Sequence, residues 1–312
     1  MMPIPQRLLD VLRCTICNNT EFYNEENDSS LKCKKCEKKY SIVDRIPYMM
    51  DGGPEKQDWN VWDLDKIKMM GDSYYKRAKG ELPEKESSKS YARFLKNNDL
   101  YSKGDELLDL GCATGHFLRS FRSRLDENIL YTGLDTHIDY LHWGNEVFGI
   151  NNSCNFIQGD ACDMPLSDNS FDSVIVNLFH FFPNIKNALK EAMRVGRKTV
   201  IWRTPIAQYN YIVKLIYNNS FDELNVITPE REDFDYSLYM LYSLEYLEGL
   251  VKNIGGRILL SQKDDDFQPF DNTILEEFKH VPSTKTVQGL QINGALVLDW
   301  HYIVIDCSYY KK

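Results

Sequence analysis

The fold is decided by residues 106–117, which read ELLDLGCATGHF. This stretch predicts an apolar strand, a turn of small residues and the start of a helix. Small residues let a ligand approach the backbone closely, and the free N–H groups of a new helix make its start electropositive. A dinucleotide fingerprint that began at Gly111 would need glycines where this chain has Ala113 and His116. A pyrophosphate cradle, and with it NAD, is therefore disfavoured.

Outward from this turn, short apolar runs alternate with helix-like segments, a pattern typical of βαβ units and a parallel sheet. The predicted strands are residues 106–110, 130–134, 155–158, 173–177, 199–202, 257–261 and 302–306. The predicted helices are residues 115–125, 140–148, 185–195 and 243–254. The pattern blurs between them in an insertion at about residues 206–240, which is rich in aromatic and acidic residues. We therefore expect an α/β fold with a doubly wound sheet.

The turn resembles the first motif, D-x-G-x-G-x-G, of class I S-adenosylmethionine-dependent methyltransferases. Asp109, Gly111, Ala113 and Gly115 occupy the motif positions, with alanine replacing the middle glycine and Cys112 as a small filler. An acid at the strand end suits the ammonium group of a methionine moiety, whereas it would repel a phosphate. The resemblance implies a Rossmann-like sheet of seven strands, closed by a hairpin of residues 257–261 against 302–306.

Three further positions match this family in order. Asp135 ends the second predicted strand, where a carboxylate can accept hydrogen bonds from both ribose hydroxyls. Asp160 matches the position that meets the adenine amino group, with the backbone of Ala161 nearby, and Asn177 ends the fourth strand beside the expected methyl group and acceptor. The predicted cofactor-binding residues are Asp109, Gly111, Cys112, Ala113, Gly115, Asp135, Asp160, Ala161 and Asn177.

Methyl transfer from a sulfonium is an in-line displacement that needs alignment and a dry site, and no covalent nucleophile. His180, on the loop after the fourth strand, is the candidate proton sink, although its apolar neighbour Phe179 fits equally well with a role in lining the pocket. Tyr74 and Tyr75 belong to a predicted helix before the sheet that, in similar enzymes, folds over the cofactor. Arg77 on the same helix is a candidate partner for the donor carboxylate.

Two C-x-x-C pairs, Cys14 with Cys17 and Cys33 with Cys36, have the spacing of two knuckles that share one tetrahedral Zn²⁺. Four sulfur ligands close the coordination shell, so the predicted zinc is structural and supplies folding free energy. Residues 1–50 also resemble the small zinc-ribbon proteins that activate methyltransferases by binding them, through the apolar lead-in and the closing residues 40–47.

Composition limits the remaining choices. The 312-residue chain is 43% hydrophobic, has a formal net charge of −9 and contains no long apolar run. The charge disfavours a bulk electrostatic grip on nucleic acid, and the absence of an apolar segment or secretory leader predicts a cytoplasmic protein without membrane contact. We divide the chain into a zinc ribbon at 1–50, a linker with cofactor-covering helices at 51–98, and a methyltransferase domain at 99–312.

Three functions compete at this stage. The first is methyl transfer from S-adenosylmethionine to an N, O or C atom of a small molecule, with the insertion as a lid on the acceptor pocket. The second is methylation of an rRNA or tRNA base, similar to ribosomal-RNA guanine methyltransferases with an N-terminal zinc ribbon that recognises the substrate. The third is a scaffold with a lapsed cofactor site, whose ribbon binds an unidentified protein; the retained acids Asp109, Asp135 and Asp160 speak against it.

Overall fold

The computed structural model describes residues 4–24, 29–50, 64–177, 184–216, 227–228, 236–264, 284–287, 290–293 and 299–310. The candidate base His180, its neighbour Phe179 and about half of the insertion at 206–240 lie outside these ranges. Among the described residues, no helix combines the length and the apolar character needed to cross a bilayer.

The amino-terminal part forms a small antiparallel sheet preceded by a short helix. Its elements are α1 (Gln6–Leu9), β1 (Phe22–Asn24), β2 (Ser30–Cys33), β3 (Lys39–Val43) and β4 (Ile46–Pro47), with the strands in sequence order. We call residues 4–50 the ribbon. Two helices follow it, α2 (Leu64–Lys79) and α3 (Glu86–Asn97).

The main part alternates strands and helices as the sequence predicts. Its first half comprises β5 (Glu106–Leu110), α4 (His116–Arg124), β6 (Leu130–Asp135), α5 (Ile138–Phe148), β7 (Cys154–Gln158), β8 (Phe171–Asn177), α6 (Ile185–Val195) and β9 (Gly196–Ile206). Its second half comprises β10 (Tyr211–Ile216), β11 (Tyr236–Leu241), α7 (Leu244–Asn253), β12 (Arg257–Lys263), β13 (Thr284–Val287), β14 (Leu290–Asn293), β15 (Asp299–Asp306) and α8 (Cys307–Tyr310). All predicted strands and helices are therefore confirmed, with small shifts at their ends.

The central sheet has seven strands in the order β12-β15-β9-β8-β5-β6-β7. β5 to β9 run parallel, and β15 runs antiparallel to both of its neighbours, so the predicted closing hairpin of β12 against β15 is confirmed. The order reverses between β5 and β8, because the chain runs outward from β5 in one direction and from β8 in the other. Ligands of open α/β sheets bind in the crevice at such a point, at the carboxyl ends of the strands.

The two faces of the sheet are covered differently. On one face, α3, α4 and α5 pack through aromatic side chains such as Tyr91, Phe121 and Phe156, all fully buried. On the other face the connection from β7 to β8, residues 159–170, contains no helix. Leu8 and Leu12 of the ribbon fill this space, in one continuous core with the sheet. The ribbon thus covers the part of the sheet that a helix would otherwise cover.

Candidate cofactor crevice and cysteine cluster

The turn after β5 is built from left-handed residues. Gly111, Ala113 and Gly115 have φ values of 73°, 50° and 66°. Only glycine adopts this conformation without strain, so Ala113 carries a local cost. The backbone N–H groups of Gly111 and Cys112 both donate to the carbonyl oxygen of Leu134, at 2.8 and 3.2 Å. The turn is therefore folded back against the end of β6.

Asp135 ties the same turn to the start of α5. Its Oδ2 accepts a hydrogen bond from the Ala113 N–H at 2.8 Å, and its Oδ1 accepts one from the His137 N–H at 2.9 Å. A carboxylate has about four acceptor sites, so each oxygen can accept a further bond from a ligand. Asp135 can thus hold the turn and accept ribose hydroxyl groups at the same time.

Asp109 is buried at the floor of the crevice, with only 5% of its surface exposed. Burial raises the pKa of this carboxyl to about 7, the hydroxyl of Tyr131 lowers it by donating to Oδ2 at 2.8 Å, and the charge of Asp135 raises it. The structure records no salt bridge for Asp109 within its described residues. A ligand ammonium group would supply the missing cation.

Asp160 lies on the far side of the crevice from β8, just after β7. Its Oδ1 accepts a hydrogen bond from the Cys162 N–H at 2.8 Å, which fixes the loop, and Ala161 is buried beside it. The ribbon touches the strand that leads to this loop, because the Met49 N–H donates to the carbonyl oxygen of Gln158 at 3.0 Å.

The side chain of Cys112 packs against Gly133 of β6. It is buried, and a Cβ added to Gly133 would lie 2.6 Å from its Sγ. The thiol therefore fills the space that the missing side chain of Gly133 leaves open.

The structure adds a network at the carboxyl ends of β8 and β9 that the sequence analysis missed. Asn177 Oδ1 accepts a hydrogen bond from Arg203 Nη1 at 3.2 Å, and Arg203 Nε lies 2.7 Å from Asp264 Oδ2. The side chains of Arg203 and Asp264 are each only 1% exposed. One signal could have revealed the network, since an arginine inside an apolar strand must find a partner when that strand is buried.

The helix α2 packs against the starts of α4 and α5. The ring of Tyr74 stacks on His116 with the two centroids 4.6 Å apart, and the Nζ of Lys85 lies 4.2 Å from the Tyr74 centroid. Tyr75 points elsewhere, because its hydroxyl donates to Glu146 on α5. The structure therefore brings Tyr74 to the start of α4 and leaves Tyr75 outside that contact.

The start of α4 is electropositive and polar. Burial, together with the nearby charge of Arg77, lowers the pKa of Lys85 to about 8. Burial, followed by the charges of Lys85 and Arg77, lowers the pKa of His116 to about 3. Both ring nitrogens of His116 and the hydroxyl of Thr114 are buried without a hydrogen-bond partner in the described part of the chain. These groups fit the carboxylate end of an amino-acid ligand.

The four cysteines of the ribbon converge. Their Sγ atoms all lie within 4.8 Å of one another, and those of Cys14 and Cys36, and of Cys17 and Cys33, are 3.5 Å apart. Tetrahedral thiolates at the usual Zn–S distance of about 2.3 Å lie about 3.8 Å apart. This donor set fits a four-coordinate ion with no open position.

Residues 108–201 match the family model of a methyltransferase domain. The match runs from β5 into β9 and includes the crevice residues from Asp109 to Asn177. The match therefore covers the crossover at the centre of the sheet.

Two curated relatives are similar to part of this chain. The chain is 32% identical over 131 residues to a cycloartenol-C-24-methyltransferase of Arabidopsis thaliana, covering 40% of this chain and 38% of the relative. It is 28% identical over 159 residues to a fatty-acid O-methyltransferase of Mycolicibacterium smegmatis, covering 50% of this chain and 57% of the relative. The chain thus spans 38% and 57% of the lengths of these two relatives.

A solved structure of a SAM-dependent methyltransferase from Aquifex aeolicus is similar with a TM-score of 0.44 and 14% identity. The similarity covers 78% of this chain and 99% of that one. At this TM-score the similarity transfers neither the activity nor the substrate of that protein to this chain.

Proposed function

We propose that this chain transfers a methyl group from S-adenosylmethionine to a small-molecule acceptor. The observation that carries the proposal is the coincidence of the matched methyltransferase domain with the acid-lined crevice at the reversal of strand order. Asp109 and Asp135 lie in the carboxyl-terminal ends of β5 and β6, and Asp160 follows β7, so their carboxylates belong to one edge of the sheet.

Different residues at this edge bind different parts of the cofactor. Asp135 accepts hydrogen bonds from the ribose hydroxyls, and Asp160 with the Ala161 backbone meets the adenine ring. Asp109 binds the ammonium group of the methionine moiety, since it is a buried carboxyl without a cation. The turn at Gly111 and Ala113 provides close backbone approach, because only small residues line it.

The start of α4 receives the methionine carboxylate. Lys85 and Arg77 supply positive charge there, and Thr114 and His116 supply buried polar atoms without partners among the described residues. The N-terminus of α4 adds N–H groups that favour an anion. Tyr74, stacked on His116, closes this end of the crevice against water.

When bound, S-adenosylmethionine supplies an electrophilic methyl group on a sulfonium. The chain then has to align the acceptor with that methyl group and keep water away, which is where most of the rate acceleration of such a reaction arises. His180 stays a proposal as the proton acceptor.

The charges of the ribbon favour a small-molecule acceptor over RNA. Two lysines of the ribbon lie close to carboxylates, Lys32 to Glu37 at 3.3 Å and Lys34 to Glu21 at 3.5 Å. These pairs reduce the positive potential that a phosphate backbone would need. Both relatives are also named for small apolar compounds, cycloartenol and a fatty acid.

The four cysteines hold a structural Zn²⁺ in this proposal. Their geometry leaves no position for a substrate, so the ion stabilises the ribbon and takes no part in methyl transfer. The ribbon then acts on catalysis only through its packing against β7 and the loop that carries Asp160.

Calorimetric titration with S-adenosylmethionine tests the cofactor assignment. We expect micromolar binding by the purified chain and a loss of at least about tenfold in affinity, or about 1.4 kcal/mol, in Asp135→Ala. Asp168→Ala is the matched control, because this exposed aspartate pairs with Arg194 and follows no strand end of the crevice. Absence of binding by the parent chain would reject the proposal.

A further inference from the structure

Asn177 lies on the side of the crevice opposite Asp135 and Asp160, the two aspartates that we assign to the ribose and the adenine. The register pairs Leu110 of β5 with Val176 of β8, so Asn177 lies beside Gly111 at the reversal of strand order. Asp135 and Asp160 follow β6 and β7, on the other side of β5. With the nucleoside end of the cofactor on that side, Asn177 belongs to the acceptor side.

The amide of Asn177 has a defined orientation. Its Oδ1 accepts from the guanidinium of Arg203, which has donors and no acceptor. The reversed amide would place its NH₂ group against those donors and lose the bond. One lone pair of the Asn177 oxygen is therefore used by the protein, and the donors that the amide offers a ligand are its two Nδ2–H groups, for which the described residues show no partner.

Arg203 itself is held from several elements. Its Nε pairs with Asp264 Oδ2, and the other oxygen of Asp264 accepts from the Ser90 hydroxyl of α3 at 2.6 Å. Ser90 also lies 2.8 Å from the Tyr302 hydroxyl of β15, and the Arg203 guanidinium lies 4.1 Å over the ring of Trp300. Rearranging a buried ion pair with this many partners costs free energy, because each buried charge would be left without its opposite charge.

An N–H donor selects among acceptor chemistries. An amine substrate would present its own N–H groups to the Nδ2–H groups of the Asn177 amide, whereas a carboxylate presents oxygen lone pairs. A carboxylate has two oxygens, so one can accept the hydrogen bond while the other faces the methyl group. A carboxylic acid is also ionised near neutral pH, so no proton has to be removed before the transfer.

We propose that the acceptor is a carboxylic acid, bound as its carboxylate by the amide Nδ2–H groups of Asn177 in the orientation that Arg203 sets. The product is then a methyl ester. This inference rests on the proposed methyl transfer. One carboxylate oxygen forms the new bond to the methyl carbon while the carbon–sulfur bond breaks and its electron pair stays on sulfur. Arg203 is a positioning residue, since it acts through Asn177.

The first test needs no knowledge of the acid. The chain is incubated with methyl-labelled S-adenosylmethionine and a small-molecule extract of the source organism, and the products are treated with mild alkali. Methyl esters release labelled methanol, whereas N-methyl, C-methyl and ether products keep the label. Labelled methanol is the expected result, and alkali-stable label as the main product would overturn the inference while leaving methyl transfer standing. No labelled product, with the cofactor shown by calorimetry to bind, would reject the proposed function itself.

The second test addresses the positioning role. Arg203→Lys keeps a cation for Asp264 but loses the second N–H that holds Asn177, so we expect kcat to fall at least about tenfold with the cofactor dissociation constant changed less than twofold. Asn177→Asp replaces the donor with a negative charge, and we expect an increase in acceptor KM of at least about thirtyfold. Equal losses of cofactor binding and kcat in both variants would contradict the assignment.

Arg197→Lys is the matched control for this experiment. Arg197 lies on the same strand, at the end away from the crevice, and pairs with Glu106 and Asp172. We expect its kcat and acceptor KM to match those of the parent chain. A far-UV circular dichroism spectrum and a thermal unfolding curve for each variant separate loss of positioning from loss of folding.

Discussion

Ala113 shows what a single residue contributes to the crevice. It adopts φ 50° in the turn where the family motif has glycine, and a Cβ in this conformation costs about 1–2 kcal/mol. Ala113→Gly removes that cost but adds backbone freedom to the unfolded chain, so we expect a net gain of about 0.5–1 kcal/mol in the free energy of unfolding. Urea denaturation measures this change in the free energy of unfolding. Ala188→Gly, inside α6, should lose at least about 1 kcal/mol, and a loss in both variants would refute the strain at Ala113.

Asp109 gives the cofactor site a pH dependence. Burial raises its pKa to about 7, so the carboxyl is mostly protonated at pH 5.5 and half ionised at pH 7. A ligand ammonium group binds the carboxylate and not the acid, so affinity for S-adenosylmethionine should rise about tenfold between these values. Calorimetry across this range checks it. Asp109→Asn should bind weakly with no such trend, and a pH-independent affinity of the parent chain would contradict the assignment.

Residues of the candidate site divide into those the sequence can reveal and those it cannot. The positions of Asp109, Asp135 and Asp160 were predictable because each lies in or just after the carboxyl end of an apolar strand, and parallel strands bring these ends to one edge. Asp264 was not predictable, since its partner Arg203 lies far away in the chain and no periodicity links the two. Long-range pairing of buried charges depends on how the elements pack, which a pattern along the chain does not contain.

The elements themselves were more predictable than their ends. Apolar runs gave β5 and β8 closely, because buried parallel strands have few polar residues. β9 was predicted as residues 199–202 but extends over Gly196–Ile206, since its pairing with β8 and β15 continues through polar residues. Sheet pairing, and not local composition, decides where this strand begins and ends.

The close approach of α2 to α5 provides a test at this scale. A Cβ on Gly71 would lie against Tyr140 and only 2.5 Å from Trp143, so Gly71→Ala should push α2 away from the crevice. We expect the affinity for S-adenosylmethionine to fall about fivefold or more, in line with the usual cost of about 1–3 kcal/mol for overpacking. Calorimetry measures the affinity, and circular dichroism checks that the helix content is kept.

Gly249 on α7 is the matched control for that change. Nothing lies within 4 Å of the position of its added Cβ, so Gly249→Ala should only improve helix propensity, by about 1 kcal/mol. Its cofactor affinity should equal that of the parent chain. If the two alanine variants bind the cofactor equally well, α2 does not cover the cofactor.

On the scale of the whole molecule, the ribbon and the sheet share one core. The sequence led us to treat residues 1–50 as a separate piece, because so few of them are apolar. The structure places Leu8 and Leu12 against the sheet, and the ribbon adds polar contacts through Arg13, which donates to the Met164 carbonyl oxygen at 2.9 Å. The absence of a helix on one face of the sheet becomes visible only in the assembled fold. The contact between the ribbon and the sheet could therefore not be predicted from the ribbon alone.

The shared core predicts the response of the chain to loss of the proposed zinc ion. Because the cysteine cluster stabilises residues that also cover the sheet, a strong chelator or Cys17→Ser should destabilise the entire described fold in a single transition. We expect the midpoint of thermal unfolding to fall by about 10 °C or more, with bound zinc measured in parallel by elemental analysis. Cys162→Ser is the control, since this cysteine lies outside the cluster. A separate early transition that leaves the main unfolding step and cofactor binding unchanged would show that the ribbon is an independent unit.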